Sequence, residues 1–185
     1  LVAVDVFSRY CMLIPMYSID SEETSSLLQS YILDGSGGIP DYILSDNGPE
    51  FKAEFDKLCA VSNITHRTSV PNHAQSHGMV ERLIATTELT LAHFIDDDMT
   101  IWHKMLSHAQ MAHNSTPHPS LPVSLAEGYT PSEVYLGRKL VTSLDKQMRL
   151  DFTVEAFSIQ QYIDRLKKLK PVIIKHVQLS QQRYQ

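Results

Sequence analysis

An aspartate that closely follows an apolar run is a candidate for catalysis or ligand binding. Asp46 stands in YILSDNGPEF, residues 42–51, where the apolar run leads into Ser45, Asp46, Asn47 and Gly48. A buried carboxylate needs a partner, and ligands bind outside the carboxyl ends of strands in open α/β sheets. Asp46 is therefore a candidate ligand, and capping the turn before the next helix is an alternative of equal weight.

The second candidate acid is Glu81, in SHGMVERL at residues 76–83. We place it in the first turn of a long helix that begins near Met79, where the helix dipole favours a carboxylate by about 0.3–1 kcal/mol. That stabilisation alone would account for the residue. Two carboxylates from separate elements can also converge on Mg²⁺, which is usually held by one or two carboxylates plus substrate phosphates.

The elements that must position these acids alternate along the chain. Stretches rich in Val, Ile and Leu predict strands over residues 1–7, 11–17, 41–45 and 64–69. Apolar residues at helical spacing predict helices over residues 20–34, 50–62, 79–96, 99–115, 130–137 and 152–185. Pro171 should interrupt the last helix, and four prolines make residues 117–131 irregular. The order predicts an α/β fold with a mixed sheet and helices packed on it.

Two of these helices carry start signals. Asp20 and Glu23 are spaced as a capping box, in which each side chain bonds to the other residue's backbone N–H. Thr130 is the expected N-cap of the helix that begins at Pro131.

Composition restricts the class of protein. The 185 residues suffice for one domain with a core, and no apolar run approaches the roughly 20 residues that a membrane span needs. Cys11 and Cys59 form neither a disulfide framework nor a C-x-x-C zinc motif. The histidines also lack cysteine pairs, which favours ordinary polar roles over zinc binding.

The net charge of −5 is distributed unevenly. Residues 1–137 carry six Lys/Arg and seventeen Asp/Glu, whereas residues 138–185 carry ten and four. The acidic part argues against strong nucleic-acid affinity of residues 1–137 alone, since that affinity depends on neutralising phosphates. The basic part is either an arm for an anionic partner or a solvated helix face.

Two motifs together resemble a known family. SDNGPEF at residues 45–51, followed by PNHAQSHGMVER at residues 71–82, is similar to the catalytic core of retroviral and Ty3/Gypsy-type retrotransposon integrases. The 34 residues between Asp46 and Glu81 match the spacing of that family's second and third acids. LVAVDVFSRY at the start, GYTPSEVYLGR downstream and the basic IDRLKKLK extend the resemblance over most of the chain.

The resemblance implies an RNase H-like fold and a DDE-type polynucleotidyl transferase. Such an enzyme trims the 3′ ends of element DNA and joins them to target DNA with two Mg²⁺ ions, Mn²⁺ being the alternative. Asp46 and Glu81 would be metal ligands and catalytic residues. The residues expected to contact DNA are Asn47, Gln75, Ser76, His77 and Arg82, although His77 could be solvated and Arg82 could pair with an acid.

The resemblance also implies a domain plan and partners. Residues 1–140 would be the core, incomplete at its N-terminus, and residues 141–185 a basic helical linker toward a C-terminal domain. Element DNA ends, target DNA and further copies of the chain, as a dimer or tetramer in an intasome, would be the partners, and no membrane is involved. The expected location is the nucleus, after delivery in a cytoplasmic virus-like particle.

This sequence departs from the family pattern at several positions. The family's first Asp should lie before residue 1, so we expect this fragment to be inactive alone; Asp5 is more consistent with a turn cap than with a metal ligand. Asn72 and Ala74 replace a usual Tyr and Pro, which predicts a mobile loop. Ile84 and Ala85 replace a frequent Asn and a basic residue, which favours the alternative of a non-catalytic, domesticated scaffold that binds DNA or protein.

Overall fold

The computed structural model describes residues 1–35, 38–68, 74–95, 98–122, 128–148 and 159–182. The strands are β1 (Val2–Val4), β2 (Cys11–Leu13), β3 (Tyr42–Ser45) and β4 (Thr65–Thr68). The helices are α1 (Ser21–Leu27), α2 (Glu54–Val61), α3 (Ala74–Ile95), α4 (Trp102–Ser115), α5 (Pro131–Leu136), α6 (Ser143–Gln147) and α7 (Ile159–Gln182). A π-helical segment, Leu28–Leu33, continues α1, and single 3₁₀ turns span Pro49–Phe51 and Met99–Ile101.

The four strands form two small sheets. Strands β1 and β2 pair antiparallel, with Val2 opposite Leu13. Strands β3 and β4 pair parallel, with Tyr42 opposite Thr65 and Ser45 opposite Thr68. Antiparallel and parallel pairing together agree with the predicted mixed arrangement, although the described strands lie in two sheets and are shorter than predicted.

The turn between β1 and β2 explains why the first strand is short. The Asp5 carboxylate accepts hydrogen bonds from the Ser8 N–H at 2.7 Å and the Ser8 hydroxyl at 2.5 Å. The Arg9 N–H donates to the Asp5 carbonyl, and Arg9 has a positive φ of 67°. Asp5 therefore caps this turn, as predicted from the sequence.

Among the described residues, buried apolar side chains form three clusters, of which two support the candidate site. The first joins β2 to α3 and α4 and contains Cys11, Leu13, Leu83, Leu106 and Ala109. The second joins the π-helical segment to α2 and to the start of β4; its members are Leu28, Leu33, Phe55, Cys59 and Ile64. Asp46 follows β3, whose Ile43 packs against the second cluster, whereas Glu81 lies on α3, whose Leu83 belongs to the first cluster.

Side chains of α4 close the outer edge of β2. The Asn114 side chain is 1% exposed; its Oδ1 accepts from the Cys11 N–H and its Nδ2 donates to the Cys11 carbonyl, both at 2.9 Å. Gln110 Oε1 accepts from the Leu13 N–H at 2.8 Å. Because a strand edge otherwise exposes unpaired backbone groups, these bonds substitute for a neighbouring strand. This function of Asn114 was not apparent from the sequence.

Two helix boundaries differ from the predictions. Helix α3 begins at Ala74 rather than near Met79, so residues 74–78 are helical and not loop. Ala and Gln are strong helix formers, and a single glycine inside a helix costs only about 1 kcal/mol. Helix α7 runs through Pro171 without interruption. Beyond that proline, Ile173 is 3% exposed and packs with Leu121, and this burial helps to offset the roughly 3 kcal/mol cost of an internal proline.

The predicted helix caps are borne out in one case and half formed in the other. Thr130 and Glu133 make a complete capping box at α5. Asp20 accepts from the Glu23 N–H at 2.7 Å, but the Glu23 carboxylate accepts from the backbone of Tyr17 and Ser18 instead of Asp20. The capping box is incomplete because the Glu23 carboxylate bonds to these two backbone N–H groups and not to that of Asp20. Across the described ranges, no helix has the length and apolar character of a membrane span.

We expect Asn114→Ala to destabilise the protein by about 2–4 kcal/mol, because two buried backbone groups of Cys11 lose their partners. Denaturant unfolding of the variant and the wild type measures the difference. Ser107→Ala, on an exposed position of the same helix, is the matched control and should change stability by less than about 0.5 kcal/mol. Equal stability of the Asn114 variant and the control would contradict this account of the β2 edge.

Candidate active site

Asp46 is placed at the carboxyl end of β3 by the parallel pairing that ends at Ser45. Its Oδ1 accepts from the Gly48 N–H at 3.0 Å, which is the bond of an Asx turn. The side chain is nevertheless exposed. A carboxylate has about four lone-pair sites, so capping this turn leaves capacity for a further ligand. The two interpretations of Asp46 are thus compatible.

A second carboxylate lies against the same turn. Gly48 has an ordinary φ of −56°, so its role is not to supply a left-handed conformation. A Cβ at position 48 would instead overlap the carboxylate of Glu50. Glu50 was not singled out from the sequence; its position two residues after an Asx-turn glycine was the available signal.

Glu81 is exposed on α3 but does not lie in the first turn. Because the helix begins at Ala74, Glu81 is its eighth residue, and the predicted stabilisation by the N-terminal dipole is wrong, since that effect falls off within one turn. Leu83, two residues later, is buried in the first cluster and anchors this part of the helix. Glu81 therefore has no helix-terminal role to explain it.

The two acids suit a hard divalent cation by their chemistry. Exposed carboxylate oxygens from separate elements are the ligands that Mg²⁺ prefers, completed by water and substrate phosphates. Within the described ranges, no group of three or more His, Cys, Asp and Glu side chains is arranged to hold a metal ion. The pairing of Asp46 with Glu81 on a shared metal accordingly stays a prediction.

The predicted DNA contacts fall into two groups. Asn47 is exposed in the Asp46 turn, and Arg82 is exposed beside Glu81. The backbone of Gln75, Ser76 and His77 is helical within α3, and their side chains lie outside what the structure describes. Their predicted roles are untested.

Basic groups surround His118 near the start of the chain's irregular connection. Burial is the main reason that its pKa is lowered to about 4, and the neighbouring His113, Arg9 and Arg82 lower it further. Its Nδ1 accepts from the Ser120 N–H at 3.1 Å, which requires that nitrogen to be unprotonated. Arg9 is itself 8% exposed, and burial lowers its pKa against the opposing effect of Asp5. The sequence alone does not reveal this grouping, because its members are far apart in the chain.

The sequence is similar to those of several known proteins. The sequence profile of the Integrase core domain family matches residues 1–74. An uncharacterized protein of Caenorhabditis elegans is 29% identical over 168 residues, which are 90% of this chain and 13% of that protein. The Gag-Pol polyprotein of Walleye dermal sarcoma virus is 27% identical over 145 residues, 77% of this chain and 8% of the polyprotein. The chain thus spans a small fraction of the curated relatives it matches.

Solved structures are similar to this chain over about three quarters of its length. The catalytic core domain of BIV integrase is 28% identical with a TM-score of 0.60, covering 74% of this chain and 84% of that one. The HTLV-2 integrase catalytic core domain, solved with magnesium in a trimeric form, is 26% identical with a TM-score of 0.54 and coverages of 72% and 82%. A simian T-cell lymphotropic virus intasome chain, in complex with a PP2A regulatory subunit, is 27% identical with a TM-score of 0.56 and coverages of 76% and 49%.

The fold is therefore RNase H-like, that of the integrase catalytic cores with which the chain aligns. The chain is similar to the Integrase core domain family over residues 1–74 and to retroviral integrase catalytic cores over about three quarters of its length. The resemblance carried by SDNGPEF and PNHAQSHGMVER is confirmed.

Acidification should destabilise the protein through His118. The folded state holds its pKa near 4, below the usual value of 6.5. Between these values the unfolded state binds a proton that the folded state does not, so stability falls as the pH falls from 6.5 toward 4.

Denaturant unfolding at pH 7 and pH 5 measures this loss. His118→Asn, which keeps an acceptor for Ser120, should lose less stability on acidification than the wild type. His103→Asn, at an exposed position of α4, should lose as much as the wild type. An identical pH dependence for both variants would contradict the assignment.

Proposed function

We propose that this chain is the catalytic core of an LTR-retroelement integrase that trims the 3′ ends of element DNA and joins them to target DNA. The observation that carries the proposal is Asp46, an exposed carboxylate fixed at the carboxyl end of a parallel strand within SDNGPEF. Glu81, exposed on α3 at the family's spacing, supports it.

In this proposal Asp46 and Glu81 hold divalent metal, two Mg²⁺ ions with Mn²⁺ as the alternative. When bound, such ions stabilise charge on the attacking and leaving oxygens of an in-line displacement. The protein's own contribution is to orient the two carboxylates and to position DNA through Asn47 and Arg82. Water attacks in end trimming and the 3′-hydroxyl attacks in joining, so no nucleophilic side chain is required.

Charge distribution suggests how DNA would be held. Residues 1–137 are acidic, so phosphate affinity must come mainly from residues 138–185 and from further subunits. Helix α7 exposes Lys167, Lys168, Lys170 and Lys175. We propose that it serves as a basic linker next to the core and that the assembly is a homo-oligomer on two DNA ends. By analogy with retroelements, it would act in the nucleus after delivery in a cytoplasmic virus-like particle.

One observation favours a second candidate, a non-catalytic or domesticated scaffold that binds DNA or protein. Ile84 and Glu88 are exposed on α3 one and two turns after Glu81, where an apolar and an acidic side chain cannot neutralise phosphate. A scaffold has no need of Asp46 and Glu81 as metal ligands, which is why we place this candidate second.

Strand transfer by the full-length protein should separate the two candidates. Asp46→Asn and Glu81→Gln should each lower activity by more than about 100-fold, because each removes charge stabilisation at the reacting phosphate. Matched controls are Asp41→Asn, just before β3, and Glu88→Gln, two turns along α3; both are exposed acids and should retain activity. Wild-type activity in both site variants would refute the metal assignment, and an inactive wild type would favour the scaffold.

A further inference from the structure

Three polar side chains form a hydrogen-bonded chain that ends on the backbone of Asp46. His66, on β4, lies with its Nδ1 2.6 Å from Asp56 Oδ1 and its Nε2 2.9 Å from Ser45 Oγ. The Ser45 hydroxyl is also 2.8 Å from the Asp46 carbonyl oxygen. We call Ser45, His66 and Asp56 the β3 relay. It connects α2, β4 and β3 to the candidate metal ligand.

Two members of the β3 relay, Ser45 and His66, have buried side chains, and the third, Asp56, is exposed. Ser45 is 9% exposed, and the His66 side chain is 8% exposed. The Phe55 ring packs edge-on against the imidazole, with centroids 5.0 Å apart. Asp56, at 55% side-chain exposure, reaches the imidazole from the first turn of α2. The buried members can therefore adopt few other arrangements, and Asp56 fixes the imidazole from the solvent side.

The donors and acceptors of the β3 relay can be assigned so that each of its contacts is a hydrogen bond. A carboxylate only accepts, so His66 Nδ1 must carry a hydrogen toward Asp56. When Nε2 also carries a hydrogen, it donates to Ser45 Oγ, and the Ser45 hydroxyl is free to donate to the Asp46 carbonyl. Every contact then has one donor and one acceptor.

A Ser, a His and an Asp in this order also resemble a hydrolytic triad. The surroundings argue against that role. A nucleophilic hydroxyl must reach a substrate, whereas Ser45 is buried and its oxygen lies against the Asp46 carbonyl. The geometry suits the fixing of a backbone position better than attack on a ligand.

We propose that Ser45, His66 and Asp56 are positioning residues that hold the main chain of Asp46 and thereby orient its carboxylate for metal binding. This inference rests on the proposed function, since it gives Asp46 a metal to bind. The Asx turn to Gly48 fixes the carboxylate from one side, and the β3 relay fixes its backbone from the other.

A first readout needs no metal and no activity. Amide hydrogen exchange at Gly48, measured by NMR on metal-free full-length protein, reports how firmly the Asp46 carboxylate holds that N–H. Ser45→Ala and Asp56→Asn should each raise the exchange rate roughly fivefold to tenfold, because the first removes a hydrogen bond of the relay and the second replaces its charged acceptor with a weaker neutral one. Ser45→Thr, which keeps the hydroxyl, should exchange like the wild type. Glu54→Gln, an acid in the same turn of α2 that pairs with Lys57 instead, is the charge-matched control.

The second readout is the Mg²⁺ concentration that gives half-maximal strand transfer. Ser45→Ala and Asp56→Asn should raise it by about 10-fold or more, as expected when a partner that orients a metal ligand is removed. Ser45→Thr and Glu54→Gln should leave it unchanged. Thermal unfolding of each variant separates this effect from general loss of structure, which would lower the melting temperature of the protein without a selective change in Mg²⁺ requirement.

The outcomes distinguish this inference from the proposed function. If Asp46→Asn abolishes strand transfer while Ser45→Ala and Asp56→Asn keep the wild-type Mg²⁺ requirement, the proposed function stands and the positioning role is wrong. If Asp46→Asn leaves strand transfer intact, the proposed function fails, and the positioning role fails with it whatever the exchange rates. Covalent labelling of Ser45 by a fluorophosphonate probe would overturn the positioning role in favour of a nucleophile.

Discussion

The parallel pairing of β3 with β4 is the constraint on which the candidate site depends. The pairing ends where Ser45 faces Thr68, so the next residue of β3 leaves the sheet at its carboxyl edge. That residue is Asp46, and its exposure follows directly from this register. A shift of one residue would turn Asp46 to the other face of the strand, because side chains alternate with a period of two. The buried Phe55 and Ile64 of the second cluster hold the register from beneath.

The position of Glu81 is fixed by a different hydrophobic cluster from the one that supports Asp46. Helix α3 is fixed by Leu83 against β2 and α4, and β2 is held in turn by Asn114, whose side chain takes the place of a neighbouring strand. The two acids are therefore anchored in separate hydrophobic clusters. Their separation depends on how these clusters pack, so residues far from either carboxylate would influence the proposed metal binding.

The sequence predicts the local features of this structure well. Alternating strands and helices, the Asp5 turn, the Thr130 cap and the family resemblance all follow from signals within a few residues or from two linked motifs. It does not predict features that depend on contacts distant in the chain. Asn114 acts on Cys11 and His66 acts on Ser45, and neither partner is a neighbour in sequence. The path of α7 through Pro171 shows the same limit, because tertiary packing can override a local helix-breaking signal.

The central claim is that Asp46 and Glu81 hold one metal centre although they belong to different clusters. Electron paramagnetic resonance of Mn²⁺, titrated into full-length protein bound to its element DNA ends, tests this most directly. We expect Asp46→Asn and Glu81→Gln each to remove the same population of bound Mn²⁺, and Asp41→Asn to retain it. Undiminished Mn²⁺ binding in both site variants, or loss of separate populations that add in the double variant, would contradict a shared site.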